Sequence, residues 1–283
     1  MYIIRIPQTR RKGRLSMKIG FLGTGNMGGA LARAIDRHHD DVTFLLADPD
    51  SEKAGALASS LRNGSALVSN SDAAGESDYL FFAVKPQKLA EAVSPLRETI
   101  VSRKQPPVIV SMAAGVPIET IDTLTGGRCA VIRIMPNTPV SLDEGVIGYA
   151  TKNVSPDEER IFLDFFEKSA LLVSLPEEKI DGVCALSGCG PAFVYSFLRS
   201  LAQGGVSAGL SGEDALRMAC QTAKGAAEMI LRSGTDPATL IKNVCSPGGA
   251  TLAGMGVLEN AHFEDTIQAA VDAAYKRTIE LGK

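Results

Sequence analysis

The chain has 283 residues, room for one large domain or two ordinary ones. Its 45% hydrophobic and 22% charged residues are the composition of a globular protein with a sizeable core. A formal charge of -3 offers nucleic acid and anionic membranes no electrostatic attraction, and no apolar run approaches the roughly 18 residues of a membrane span.

Residues 1–16, MYIIRIPQTRRKGRLS, carry five basic side chains and no acid, without the apolar stretch of a secretory signal. They are read as a disordered extension or a misassigned start, with a transit peptide as the minor alternative. From Met17, short apolar runs alternate with helical patterns. KIGFLG (Lys18–Gly23), VTFLLAD (Val42–Asp48), YLFFAV (Tyr79–Val84), VIVSMA (Val108–Ala113) and VIRIMP (Val131–Pro136) predict five strands. All are nearly continuous in apolar residues, as strands covered on both faces are. The spacers suit crossover helices, so a doubly wound, mainly parallel α/β sheet is expected.

GVIGYA (Gly145–Ala150) and LLVSLP (Leu171–Pro176) add two strand candidates. Between them Ser155, Pro156 and Glu158 mark a helix start with a capping box. Past about Pro176 the strand signal ends. Apolar residues then recur at helical spacing, as in Phe193, Val194, Phe197, Leu198 and Leu201. The expected division is an α/β domain over 17–176 and an all-α domain over 177–283. Within the second, CSPGGATLAGMG (Cys245–Gly256) interrupts the helices with more glycine and more stiffness than a connector needs.

Gly23, Gly25 and Gly28 in GTGNMG follow a strand and open a helix. That is the Rossmann-type pattern, which provides a tight turn, bare backbone beside a pyrophosphate and close helix–strand packing. The phosphates would sit on the helix N-terminus, where free N–H groups favour anions. A purely structural glycine turn is the alternative. Asp48, twenty residues past Gly28, would accept from a ribose 2′-hydroxyl and repel a 2′-phosphate, which by itself favours NAD; Lys53 is the nearest cation. Three further loops end strands facing the same crevice. They are AVKP (Ala83, Val84, Lys85, Pro86), AAG (Ala113, Ala114, Gly115) and MPNTP with Asn137 and Thr138. Plain turns, with Lys85 a solvated lysine, are the bland reading of these loops.

Cys129, Cys184, Cys189, Cys220 and Cys245 form no C-x-x-C pair and have no His-rich neighbourhood. They are expected to be small core residues in a reducing cytosol, with no structural zinc, no disulfide framework and no metal site. His38 and His39, in a polar turn, and His262 are expected to be solvated surface residues.

GFLGTGNMG, FFAVKP, AAGVP, MPNTP, DGVCALSGCGPAF and, most specifically, SPGGAT resemble the pyrroline-5-carboxylate reductase family, over nearly the whole chain from Met17. Cys189 departs from the serine that many members carry. Asp48 stands where an NADP-preferring member more comfortably has serine or a basic neighbour. The resemblance implies hydride transfer from NAD(P)H to 1-pyrroline-5-carboxylate, giving L-proline in the last step of proline synthesis. NADPH is the common cofactor of the family, with NADH admitted because of Asp48. It implies an all-α C-terminal dimerisation domain that interlocks with a partner's, in a homodimer or a decamer. It further implies a cytoplasmic enzyme with a small cyclic imine acid as substrate and neither nucleic acid nor membrane as partner. The cofactor-contact set is then Gly23, Thr24, Gly25, Asn26, Met27, Gly28, Asp48, Asn70, Ala83, Val84, Lys85, Pro86, Ala114 and Asn137.

The implied substrate carries a carboxylate, and Ser-Pro-Gly-Gly-Ala-Thr offers it a cradle. Gly248 and Gly249 remove side chains and expose the N–H groups of Gly249, Ala250 and Thr251, while Ser246 adds a hydroxyl and Pro247 stiffens the approach. Thr251 is the catalytic candidate, reaching the ring nitrogen. A hydroxyl is a poor acid, so positioning is expected to outweigh proton transfer. By the resemblance Asn243 and Glu177 contact the substrate or its water, and Ser187–Ala192 brings helices together at the pocket edge. Two other readings stay open. A β-hydroxyacid dehydrogenase would need Lys224 or Lys242 as general acid, and a cofactor-binding regulatory module without turnover would carry a degraded SPGGAT segment.

Overall fold

The computed structural model describes residues 17–282, so the reading of residues 1–16 lies outside the described residues. The elements of the first compact unit, which ends at Ile180, alternate strictly through its first half. They are β1 (Met17–Leu22), α1 (Asn26–His38), β2 (Val42–Ala47), α2 (Ser51–Ser60), β3 (Gly64–Ala66), α3 (Asn70–Glu76) and β4 (Tyr79–Phe82). Then come α4 (Pro86–Val93), α5 (Arg97–Ser102), β5 (Val108–Ser111), α6 (Ile118–Thr125), β6 (Val131–Pro136), β7 (Gly145–Lys152), α7 (Pro156–Phe166) and β8 (Ala170–Ser174).

The strands form one sheet in the order β3-β2-β1-β4-β5-β6-β7-β8. All neighbours are parallel except β6 and β7, which run antiparallel. Every strand expected from the sequence is present, most ending one or two residues earlier than the apolar run. The added strand is β3, whose three residues Gly-Ser-Ala carry no strand signal and pair with β2 only through register. Parallel strands buried on both faces explain the continuous apolar runs: β4, β5 and β6 have no exposed residue.

Aromatic side chains organise the core. Phe21 on β1 stacks on Phe81 of β4 with ring centroids 4.6 Å apart. Phe162, Phe165 and Phe166 of α7 pack edge-on or tilted against Tyr149, Tyr79 and Phe81. Each fully buried phenylalanine contributes on the order of 2–3 kcal/mol. The start of α7 is as expected: Ser155 accepts from the Glu158 N–H, Glu158 accepts from the Ser155 N–H, and Pro156 occupies the first turn.

The second compact unit, Asp181 to Leu281, is entirely helical. It holds α8 (Ile180–Val183, begun in the first unit), a π-helical turn at Cys184–Gly188, α9 (Gly190–Ser207), α10 (Gly212–Ser233), α11 (Pro237–Val244), α12 (Ala250–Asn260) and α13 (Phe263–Leu281). Its own buried core is small, Ala202, Ala215 and Ala219 with Leu198 against them. Large apolar side chains stay exposed on these helices, among them Tyr195, Met218, Met229, Leu231, Val244 and Val257. Among the described residues one helical run, Glu177–Ser207, is long and apolar enough to cross a membrane by length and composition, its most apolar window having a mean hydropathy of 1.2. It is a broken run, passing through 3-10, α, π and α segments.

The capping box gives a direct check on α7. Ser155→Ala is expected to destabilise the protein by about 1 kcal/mol, read as a lower urea midpoint with an unchanged slope.

Candidate active site

The strand order reverses direction between β1 and β4: β2 and β3 lie to one side, β5 and β6 to the other. In open parallel sheets the crevice at the carboxyl ends of such strands is the binding position. The first-unit cofactor candidates gather on that edge. Gly23–Gly28 follows β1, Asp48 follows β2, Asn70 comes after β3, Ala83–Pro86 follows β4, Ala114 follows β5 and Asn137 follows β6. Backbone bonds tie the loops to their neighbours: Gly23 N–H donates to Ala47 O at 2.8 Å and Ala83 N–H to Leu22 O at 2.8 Å.

The glycines are demanded by space. Gly23 has φ +96°, and a Cβ there would lie 2.6 Å from the Ala83 carbonyl oxygen. At Gly28 a Cβ would collide with the Gly23 carbonyl oxygen and press on Ala83 Cβ at 2.9 Å. Gly25, by contrast, has open space around its Cα, is exposed and caps α1. The turn therefore brings bare backbone to the surface directly above a tight helix–strand contact. This cradle fits the pyrophosphate of a dinucleotide.

Helix starts sharpen the picture. Asp50, Ser69, Ser155, Ser211 and Asp236 cap α2, α3, α7, α10 and α11 with their own side chains. Helices α1 and α12 begin on a bare glycine, with no side-chain cap and no acid in the first turn. An uncapped start without acids leaves N–H groups and the positive end of the helix dipole available to an anion. Helices α4 and α9 also lack both a cap and a first-turn acid, so the signal in the sequence is that absence together with a glycine immediately before the helix.

Asp48 is more engaged than expected. Its Oδ2 accepts from the Thr24 N–H at 2.7 Å and from the Thr24 hydroxyl at 3.1 Å, and its Oδ1 accepts from the Asp50 N–H at 2.9 Å. Three of the roughly four lone-pair positions of the carboxylate are thus filled from within the chain. Lys53 pairs with Asp50 at 2.8 Å. Asn70, in the first turn of α3, donates to Ala92 O at 3.4 Å, and Lys85 is exposed at the start of α4. The Asn137 Oδ1 accepts from the Val146 N–H at 2.8 Å, so this side chain pins the β6–β7 connection.

Glu177 belongs to the first compact unit, three residues before its end. Its Oε1 accepts from the Ile118 N–H at 2.6 Å and from Arg133 Nη1 at 3.2 Å. Arg133 is buried on β6. The carboxylate thereby ties the start of α6 to β6, a structural task that the sequence reading did not assign.

In the second unit the SPGGAT segment is a turn between α11 and α12. Gly248 takes φ +71°, and a Cβ on Gly249 would lie 2.5 Å from Ser246 Oγ. The Gly249 N–H donates to Ser246 O at 2.9 Å. This corrects the expected donor set: the Gly249 N–H is spent closing the turn, and the N–H groups without an upstream acceptor are those of Ala250, Thr251 and Leu252. Asn243, Ser246 and Thr251 are exposed within their own unit.

Histidine and cysteine are placed differently from the expectation in part. His38 Nε2 lies 3.1 Å from Asp143, and His39 lies 3.0 Å from Asp164 O with its ring edge-on to Phe165; both are half-buried packing residues. His262 is exposed as expected. Cys129 is buried, and burial pushes its thiol up to about 11. Burial also raises the Cys184 thiol, so neither supplies a thiolate at neutral pH. Cys184, Cys189 and Cys245 are partly buried and Cys220 is exposed, so the expectation of core cysteines holds fully only for Cys129. All five are free thiols, and no metal-binding cluster occurs among the described residues. Lys224 and Lys242 are exposed.

The reversing parallel sheet, its glycine turn and the helical second unit define a dinucleotide-binding α/β oxidoreductase fold. A family model described as "Pyrroline-5-carboxylate reductase dimerisation" matches residues 177–281, and one described as "NADP oxidoreductase coenzyme F420-dependent" matches residues 18–115. The pyrroline-5-carboxylate reductase of Methanosarcina acetivorans is 35% identical over 278 residues, covering 95% of this chain and 99% of that one. The Synechocystis enzyme of the same name is 36% identical over 274 residues, covering 95% and 100%. The crystal structure of Plasmodium falciparum pyrroline carboxylate reductase with NADP bound superposes with a TM-score of 0.86 at 30% identity, covering 96% of this chain and all of that one. The chain belongs to the pyrroline-5-carboxylate reductase family.

The close approach at Gly28 is directly testable. Gly28→Ala forces the turn and β4 apart, and a loss of about 1–3 kcal/mol of stability is expected, measured by urea unfolding.

Proposed function

We propose that this chain reduces 1-pyrroline-5-carboxylate to L-proline with NAD(P)H as reductant, an oxidoreductase acting on a C=N bond. The observation that carries the reading is the bare start of α12 above SPGGAT, an anion cradle in a chain of this family. When bound, the reduced nicotinamide supplies a hydride to the imine carbon. The chain's task is binding and orientation, because a protonated cyclic imine is already a good electrophile.

The N–H groups of Ala250, Thr251 and Leu252, with the Ser246 hydroxyl beside them, hold the substrate carboxylate. The Thr251 hydroxyl hydrogen-bonds the ring nitrogen and fixes the ring; a hydroxyl group contributes here through position more than acidity. Asn243 precedes the turn and supports it. The N–H groups at the start of α1 hold the pyrophosphate, with Ala83, Val84, Lys85, Pro86, Ala114, Asn137 and Asn70 completing the cofactor contacts. No histidine, cysteine or metal takes part. Family membership sets aside the β-hydroxyacid dehydrogenase reading, and the intact SPGGAT turn argues against a regulatory module without turnover.

Residues 17–176 form the cofactor domain and 177–283 the substrate and dimerisation domain in this reading. Large apolar side chains stand exposed along α9–α13 within their own unit, and burial against a second copy would remove them from water. We assign the Glu177–Ser207 run to that interface rather than to lipid. The working form is a homodimer or a decamer built from dimers, in the cytoplasm, where five free thiols remain reduced.

Absorbance at the NAD(P)H band is expected to fall on mixing enzyme with pyrroline-5-carboxylate; no turnover with either cofactor defeats the reading. Thr251→Ala is expected to lower kcat/KM for the imine by about tenfold or more, with cofactor affinity unchanged. Unaltered steady-state kinetics in that variant remove Thr251 from the site.

A further inference from the structure

An acid at the end of β2 ordinarily signals NAD selectivity, through a bond to the ribose 2′-hydroxyl and repulsion of a 2′-phosphate. Here the same carboxylate is built into the glycine turn. We infer that Asp48 is a positioning residue for the Gly23–Gly28 turn, setting affinity for NADH and NADPH alike rather than choosing between them. The inference rests on the cofactor reading given under Proposed function.

Three features carry it. Thr24 lies between the first two glycines of the turn and is 7% exposed, and both its N–H and its hydroxyl end on Asp48 Oδ2. A buried donor stripped of its acceptor costs free energy, so the turn conformation and the Asp48 rotamer are fixed together. Second, Oδ1 holds the Asp50 N–H at 2.9 Å, and Asp50 in turn caps α2 by accepting from the Lys53 N–H at 3.2 Å. One side chain thus links the turn after β1 to the helix after β2. Third, the carboxylate oxygens are occupied from within the chain. Two N–H groups and a hydroxyl point at the carboxylate, and the Lys53 ammonium, paired with Asp50, also feels the charge of Asp48. A 2′-phosphate entering this corner meets a carboxylate whose oxygens are already turned to donors within the chain, and a 2′-hydroxyl finds little free acceptor capacity.

The pyrophosphate is common to both cofactors, and its donors are the N–H groups at the start of α1, immediately after Thr24. Releasing Thr24 loosens those donors whatever stands on the adenosine ribose. Preorganised donors bind more tightly because their ordering cost is met on folding.

The test is direct titration of NADH and NADPH, by quenching of protein fluorescence or calorimetry, on the wild type, Asp48→Ala and Asp48→Asn. Imine KM and circular dichroism are followed alongside. Asp48→Ala is expected to raise both Kd values by about tenfold or more, keeping their ratio within about threefold of wild type and the imine KM unchanged. Asp48→Asn keeps an oxygen for Thr24 and is expected to restore most of the affinity for both cofactors. Where Asp48→Ala fails to fold, Asp48→Asn decides by the ratio alone.

A gain of about tenfold or more for NADPH alone in Asp48→Asn, where the charge is lost but the shape kept, overturns the inference. So do Asp48→Ala affinities equal to wild type. Wild-type protein that binds and turns over neither cofactor brings down the functional reading together with the inference. Wild-type turnover with a selective Asp48 effect brings down the inference alone.

Discussion

The first unit depends on one close approach of backbone to backbone. The turn after β1 passes so near the end of β4 that neither Gly23 nor Gly28 has room for a Cβ. That proximity puts the start of α1 against the sheet at the place where strand order reverses, and it leaves the next glycine, Gly25, open to solvent. A helix N-terminus held at a sheet edge, with its first N–H groups uncommitted, is an anion site by geometry alone. Asp48, through Thr24, holds the same turn from the side of β2.

Both proposed anion cradles are made by omission. Five helix starts, those of α2, α3, α7, α10 and α11, are closed by a serine or aspartate side chain, which satisfies orphan N–H groups and stabilises the helix. Helices α1 and α12 forgo that stabilisation and keep their first turns free of acids. In α12 the geometry is sharper still, because Ser246 and Gly249 close the turn through their own backbone and hand the next three N–H groups to whatever lies in front. The second unit shows the same economy at larger scale: its alanine core is thin, and its large apolar side chains face outward. Helices packed through alanine and glycine approach closely and leave bulky side chains for another surface to cover.

The parallel strands, the capped start of α7 and the glycine turn were legible because each is a local pattern with a local cause. Continuous Val, Ile and Phe runs follow from burial on both faces, Ser155 to Glu158 from capping geometry, and Gly23 to Gly28 from steric demand. Strand β3 was not legible, since Gly64–Ala66 has no strand preference of its own and is recruited by the exposed edge of β2. The half-buried state of His38 and His39 was equally hidden, because their partners Asp143 and Asp164 lie more than a hundred positions away.

Residue types and spacing by themselves determined the fold class, and the resemblance of whole motifs pointed to the family. Tertiary structure alone decided how individual polar atoms are spent. Asp48 binds Thr24 and Asp50, Glu177 holds the start of α6 to Arg133, and the Gly249 N–H closes its own turn. The reason is that hydrophobic periodicity and glycine sterics act over a few neighbouring residues and leave a trace in the chain. The partner of a hydrogen-bonding atom is set by which distant segment the fold brings within about 3 Å.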